Sequence, residues 1–125
     1  MSVKVVDASA IAALLFGEPE APTIAAQLRN TKLAAPTLLP FEVASVCLKK
    51  LHGHPDQREA LLAAHQLFER MAIVETRVDL PEAITLAERM GLTVYDASYL
   101  WLAEKLQAEL ITLDKQLADA ADRGV

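Results

Sequence analysis

Three aspartates directly follow short apolar runs of the sequence. In proteins with a parallel sheet, active sites commonly lie at the ends of such runs. The runs and their carboxylates are residues 3–6 with Asp7, 93–95 with Asp96, and 110–113 with Asp114. If the runs are neighbouring parallel strands or extended approaches to a helix, the carboxylates lie along one edge of the sheet. Thr112 should point the same way as Asp114, because side chains two residues apart in a strand share a face.

Glu42 is a fourth candidate carboxylate, in the first turn of a helix predicted over 38–51. Helix geometry places it near Leu39 and Val46 but also near Ser45 and Lys49, so its direction stays open. If it faces inward, four negative charges converge and repel one another unless a divalent cation binds between them. Oxygen ligands without His or Cys favour Mg²⁺ or Mn²⁺ over zinc.

A purely structural role is the alternative for each of these residues. Aspartate directly before a helix is a preferred N-cap, which stabilises the helix by about 1 kcal/mol. The helix dipole favours Glu42 in a first turn whether or not it binds anything. Ser9 and Ser98 can likewise be local caps. The pattern alone therefore leaves caps and a metal site both open.

The elements that would position these side chains alternate along the chain. We predict strands over 3–6, 33–36, 73–74 and 110–113, and helices over 8–16, 20–29, 38–51, 55–71, 80–90, 97–106 and from Asp114 to about Ala121. Short apolar strands alternating with helices indicate a parallel sheet covered on both faces, hence an α/β sandwich. No linker or repeat interrupts the pattern, so residues 1–125 are expected to form a single domain.

Composition restricts the classes of function. With 17 acidic and 12 basic residues the net charge is −5, so no overall basic field would steer the chain to nucleic acid. The apolar share of 53% is high for 125 residues and predicts a surface that meets a partner. A single cysteine, Cys47, and the absence of Cys/His clusters exclude an internal disulfide and a structural zinc. With no signal peptide or membrane span in the pattern, we expect a cytoplasmic protein that does not enter a membrane.

Four motifs, taken in order, resemble a known family. They are VVDASAI near the start, PFEVASV in the third predicted helix, VYDASYLWLA after the middle and ITLDKQLADAA near the end. In this ordered set the chain resembles the PIN-domain ribonucleases, especially the toxins of the VapBC type, over nearly its whole length. The resemblance implies a PIN-like three-layer α/β sandwich with a short central parallel sheet flanked by helices. The family also has a closing strand after the last helix, which we expect to be missing or rudimentary before Val125.

The resemblance assigns roles to the acidic residues. It implies that Asp7, Glu42, Asp96 and Asp114 are the catalytic residues around Mg²⁺ or Mn²⁺, with Asp7 and Asp96 as direct ligands. Glu42 and Asp114 would act directly or through bound water, and Thr112 and Ser9 would orient carboxylates. Asp119 is an additional acidic candidate, although its place within the last helix favours a solvated surface position.

The implied activity is metal-dependent hydrolysis of RNA. Water is then the nucleophile, and the products carry a 5′-phosphate and a 3′-hydroxyl. As a toxin, the protein is expected to form a homodimer and to bind a cognate antitoxin, whose apolar helix and basic residues would occlude the acidic pocket. The basic residues that could hold the RNA, if they are more than solvated surface, are Arg29, Lys32, Lys49, Lys50, His52, His54 and Arg58.

Other functions remain as alternatives. A phosphoacceptor receiver domain also uses aspartates at strand ends. Receivers share a paired acidic motif after the first strand, however, and no acidic residue stands beside Asp7 in this sequence. A haloacid-dehalogenase-like phosphatase would need Asp-x-Asp, where the sequence has Asp7-Ala8-Ser9. A partner-binding module that kept the fold and lost the chemistry is the non-enzymatic alternative, which the intact acidic set disfavours.

Overall fold

The computed structural model describes residues 2–124, which form four strands and seven α-helices. The strands are β1 (Ser2–Val6), β2 (Thr31–Pro36), β3 (Val74–Thr76) and β4 (Glu109–Ile111). The helices are α1 (Ala8–Phe16), α2 (Ala21–Leu28), α3 (Leu39–Gly53), α4 (Arg58–Gln66), α5 (Leu80–Met90), α6 (Val94–Leu106) and α7 (Lys115–Asp122). In the described residues, no helix has both the length and the apolar character to cross a membrane.

The strands form one parallel sheet in the order β3-β2-β1-β4. Strand β1 lies inside the sheet, and its Val5 and Val6 are completely buried, as expected for a central parallel strand. From β1 the chain proceeds outward to β2 and β3, then returns across the sheet to β4 on the other side of β1. This reversal makes the carboxyl ends of β1 and β4 a topological switch point, where α/β proteins generally bind ligands.

Two groups of helices cover the sheet. Helices α1 to α4 pack on one another, and α5 and α7 pack on α6, which lies against β1, β2 and β4. The connections through α1–α4 and through α5–α6 run across the sheet in opposite directions, so right-handed crossovers place the two groups on opposite faces. The expectation of a three-layer α/β sandwich around a short parallel sheet is confirmed.

The prediction of an extended segment over 93–95 is wrong. Helix α6 begins at Val94, and the Thr93 hydroxyl caps it by accepting a hydrogen bond of 3.1 Å from the Asp96 backbone amide. A good N-cap outweighs the strand preference of Val94 and Tyr95. Asp96 therefore lies inside the first turn of α6 and is not the residue that precedes the helix.

Other boundaries differ by a few residues. The helix predicted over 55–71 is α4 between single turns of 3₁₀ helix at Pro55–Gln57 and Leu67–Met71. The third strand lies at Val74–Thr76, which makes Arg77 the residue that follows it. Strand β4 ends at Ile111, so Thr112 lies beyond the strand. Through residue 124 no strand follows α7, and β4 remains at the edge of the sheet.

Candidate active site

Asp7 lies at the centre of the carboxyl edge, between the end of β1 and the start of α1. The side chain is only 6% exposed and caps α1, with Oδ1 accepting a 3.0 Å hydrogen bond from the Ala10 amide. Ser9 Oγ donates to the same oxygen at 2.7 Å, and Thr112 Oγ1 donates to Oδ2. Both carboxylate oxygens are thus held by donors, which fixes the orientation of the group.

The same hydroxyls connect α1 with the segment that follows β4. Ser9 Oγ accepts from the Leu113 amide at 2.8 Å, and Thr112 Oγ1 accepts from the Asp114 amide at 3.0 Å. Thr112 therefore orients Asp7 from the segment after β4, so the alternation of side chains along a strand does not explain why Thr112 points toward the site. The Asp114 carboxylate caps α7, accepting from the Leu117 amide at 2.9 Å.

Glu42 is held by a residue that the sequence did not single out. Its half-buried carboxylate accepts a hydrogen bond of 2.5 Å from the Tyr99 hydroxyl, which α6 presents from the opposite helical layer. This hydrogen bond answers the question of the direction of Glu42. The side chain faces the carboxyl edge of the sheet and not the solvent beside Lys49. The part of the edge that carries Asp7, Glu42, Asp96 and Asp114 is called the acidic edge below. Tyr99 lies three residues after Asp96, so the two share one face of α6. The spacing of Asp96 and Tyr99 is the feature of the sequence that could have predicted Tyr99 as a residue of the site.

The carboxylates influence one another electrostatically. Burial raises the pKa of Asp7 above its usual range, and repulsion from Asp114 adds to the effect even though three hydrogen bonds oppose it. Burial likewise raises the pKa of Glu42, with further contributions from Asp96 and Asp7. The pKa of Asp96 is raised by burial and then by Asp114 and Asp7. The four predicted residues therefore lie near one another at this edge.

No positive side chain neutralises this edge among residues 2–124. The ion pairs within residues 2–124 are Lys4–Glu109, Lys50–Glu18 and Lys105–Glu82, and none of them includes a residue of the acidic edge. In the same range, no three His, Cys, Asp or Glu side chains are close enough to hold one ion together. Mg²⁺ commonly binds through one or two carboxylates and keeps several waters, so this donor set fits Mg²⁺.

The basic residues suggested for RNA lie elsewhere. Arg29 and Lys32 lie at the start of β2, the opposite end of the sheet from Asp7. Lys49, Lys50, His52, His54 and Arg58 lie at or beyond the far end of α3 from Glu42. Asp119 is exposed on α7, as favoured from its position. The sequence analysis did not include Arg77, which is exposed directly after β3, at the same end of the sheet as the acidic edge. Arg77 lines a 270 Å³ cavity together with Thr37 and Tyr95.

Two exposed apolar areas lie outside the acidic edge. The first, here called the α3/α4 groove, is lined by Ala44, Cys47, Leu48, Leu51, Leu62 and His65. It continues past Ala44 and His65 into a 440 Å³ cavity that Phe68 also lines. The second, the α5 patch, consists of Leu80 and Ile84 on one face of α5, and Leu80 also lines the cavity lined by Arg77 and Tyr95. Leu48 is 52% exposed and Ile84 is 57% exposed, which is unusual for aliphatic side chains that occur in clusters.

Comparisons with known proteins are consistent with one another. The PIN domain family matches residues 4–123. Ribonuclease VapC3 of Pyrobaculum aerophilum is 37% identical, over 92% of this chain and 92% of the relative. Ribonuclease VapC9 of Mycobacterium tuberculosis is 36% identical, over 92% of this chain and 88% of the relative. The crystal structure of PAE2754 from Pyrobaculum aerophilum superposes with a TM-score of 0.72 at 27% identity, covering 95% of this chain and 84% of the other.

Proposed function

The chain belongs to the PIN-domain family, and from this premise we propose that it is a magnesium-dependent ribonuclease, the toxin of a toxin–antitoxin pair. The observation that carries the proposal is the acidic edge: Asp7, Glu42 and Asp96 come from three separate elements, and no cationic side chain among residues 2–124 pairs with them. Burial raises the pKa of each carboxylate, and the charge of Asp7 adds to the rise at Glu42 and Asp96. A protein gains no stability from such an arrangement, whereas a site for a hard divalent cation requires it.

Asp7 and Asp96 would hold the ion directly, with Glu42 and Asp114 acting directly or through water. Bound Mg²⁺, or Mn²⁺, would supply positive charge beside the phosphate and lower the pKa of water. Ser9, Ala10 and Thr112 keep the Asp7 carboxylate in one orientation, which removes the cost of ordering it during the reaction.

Glu42 is suited to accept a proton. Tyr99 occupies one carboxylate oxygen, and no donor among residues 2–124 hydrogen-bonds the other. The raised pKa of Glu42 makes it a stronger base than an exposed glutamate. In the reaction we propose, the water oxygen bonds to phosphorus, its proton passes to a carboxylate of the edge, and the bond from phosphorus to the 3′ oxygen breaks. The departing 3′ oxygen takes up a proton from solvent water and becomes the 3′-hydroxyl.

The RNA would approach along the carboxyl edge of the sheet. Arg77 and the exposed ring of Tyr95 line the cavity at the β2 and β3 end of that edge. An arginine binds phosphate oxygens and an exposed tyrosine stacks on bases, so these side chains suit single-stranded RNA. We propose that the protein acts on this RNA in the cytoplasm.

We also propose two protein partners. The α3/α4 groove has the apolar lining and the elongated form that an amphipathic antitoxin helix would fill. The α5 patch suits a homodimer, because Leu80 and Ile84 are one helical turn apart and both are exposed, so a second copy could cover them around a twofold axis. Basic residues of the antitoxin would then lie against the acidic edge and exclude RNA.

RNA-end sequencing tests the proposed activity. Purified protein is incubated with RNA in Mg²⁺ and in excess chelator, and the new ends are ligated with and without prior phosphorylation. We expect cleavage in Mg²⁺ alone, with 5′-phosphate and 3′-hydroxyl ends. Asp7→Asn, purified in parallel, detects contaminating nuclease. Equal cleavage in chelator, or equal cleavage by the variant, would contradict the metal-dependent assignment.

A further inference from the structure

Tyr99 combines nearly complete burial with a hydroxyl aimed at an acidic residue. Its side chain is 1% exposed, and α6 packs it toward β1 and β2. A ring packed this tightly has a fixed position, so its hydroxyl has a fixed position as well. Glu42, by contrast, has three rotatable side-chain bonds and is only half buried. The hydrogen bond therefore lets a rigid side chain select one conformation of a flexible one.

The bond also joins the two helical layers. Glu42 is on α3 and Tyr99 on α6, and these helices belong to groups on opposite faces of the sheet. The other side-chain hydrogen bonds between described helical residues, such as Trp101 to Glu82, stay within one group. The contact lies where both helices reach the acidic edge, so it links α3 and α6 at that point.

The Tyr99 hydroxyl is a hydrogen-bond donor at neutral pH, as any phenol is. It donates to one oxygen of the Glu42 carboxylate at 2.5 Å. A permanent donor is what a carboxylate needs if it must keep one oxygen occupied and the other available.

We infer that Tyr99 is a positioning residue: its hydroxyl holds the Glu42 carboxylate of α3 in the orientation that the acidic edge needs. The inference rests on the proposed function for its effect on cleavage, and it adds a residue outside the four acidic positions. Tyr99 itself touches neither the metal nor the RNA. It acts entirely through Glu42.

Tyr99→Phe tests this with the ring kept and the hydroxyl removed. We expect the maximal cleavage rate at saturating RNA to fall about 10- to 100-fold, as when partners of metal-site carboxylates are removed, with KM nearly unchanged. In thermal melts, the Mg²⁺ concentration that gives half of the stabilisation should rise about tenfold. Thr31→Val is the matched control, since it removes a partly buried hydroxyl that donates to the Leu28 carbonyl at the opposite end of the sheet. It should leave rate and Mg²⁺ midpoint unchanged.

A second variant separates positioning from general packing. Glu42→Asp keeps the charge but shortens the side chain, so the carboxylate can no longer meet the Tyr99 hydroxyl. Adding Tyr99→Phe to it should cause no further loss of rate or of Mg²⁺ affinity. If Tyr99→Phe destabilises the fold too much to assay, Glu42→Asp alone must reproduce the predicted loss of rate and rise in Mg²⁺ midpoint.

The two readouts distinguish failure of the inference from failure of the proposed function. A parent protein that responds to Mg²⁺ but cuts no RNA contradicts the ribonuclease proposal, and the Mg²⁺ midpoint of Tyr99→Phe still decides the role of Tyr99. A parent that does neither overturns both. Unchanged rate and midpoint in Tyr99→Phe, or losses that add fully to those of Glu42→Asp, overturn the inference alone.

Discussion

Asp7→Asn separates the two roles that the structure gives to Asp7, helix cap and member of the acidic edge. Asparagine caps a helix about as well as aspartate, and its Oδ1 can still accept from the Ala10 amide. What disappears is the charge and the acceptor Oδ2, so the asparagine NH2 has to donate to Thr112 Oγ1 where Oδ2 accepted from it. Burial is the largest influence on the pKa of Asp7 and raises it, so the ionised carboxylate destabilises the metal-free fold above the usual aspartate pKa of 3.8. The variant should therefore melt higher than the parent near neutral pH.

The response to Mg²⁺ should have the opposite sign. At a Mg²⁺ concentration about 100 times its Kd, binding stabilises the parent by about 2.7 kcal/mol, which is roughly 8 to 13 °C in a domain of this size. If the lost ligand weakens binding about 100-fold, the same concentration adds only about 0.4 kcal/mol to the variant, or roughly 1 to 2 °C. Asp7→Asn should thus be the more stable protein without metal and the less stable one with it.

The assay is differential scanning calorimetry of both proteins with and without Mg²⁺, together with RNA cleavage. Asp79→Asn is the matched control, because Asp79 caps α5 through the Glu82 amide at 3.0 Å and is not part of the acidic edge. It should keep the parent's Mg²⁺ response and cleavage. If Asp7→Asn keeps both as well, Asp7 is a cap and not a ligand, and the reasoning from the acidic edge is refuted.

The remaining predictions concern the charge of the edge and the two apolar areas. Burial also raises the pKa of Asp96, so Asp96→Asn should raise the melting temperature of the metal-free protein near pH 7, and this gain should vanish in calorimetry as the pH falls below about 4. Leu48→Glu should weaken antitoxin binding at least about 30-fold in titration calorimetry while RNA cleavage is kept, and unchanged binding would exclude the α3/α4 groove as the antitoxin site. Ile84→Glu should convert a dimer to a monomer in light scattering, and an intact dimer would exclude the α5 patch as its interface.

The parts of the site that the sequence predicts are those with local causes. Asp7 follows a β-branched strand and precedes a helix, and both the strand and the cap were read from neighbouring residues. The direction of Glu42 could not be read, because it depends on Tyr99, which lies 57 residues away along the chain. Arg77 was missed because the apolar residues predict the third strand over 73–74, whereas β3 ends at Thr76, directly before Arg77. A buried tyrosine looks like any core residue until its partner is known.

The start of α6 shows that the position of a carboxylate can be predicted from a wrongly predicted element. The sequence placed Asp96 at a strand-to-helix junction, and the structure places it inside a helix that Thr93 caps. The carboxylate still reaches the edge, because the first turn of α6 and the ends of the strands meet there. Asp96 is also freed from the capping role that Asp7 and Asp114 carry. Its substitution is thus the one least confounded by loss of a cap.

The bond from Thr112 to Asp7 spans 105 residues of sequence. Strand β1 leaves the ribosome before β4, yet Asp7 gains the partner of its second oxygen, and the neighbouring charge of Asp114, only after β4 has been synthesised and has paired with β1. Closure of so long a segment is slow compared with local helix formation. An incomplete nascent chain therefore lacks the assembled edge. A protein that cuts RNA would in this way stay inert toward its own message until β4 and the start of α7 have been translated.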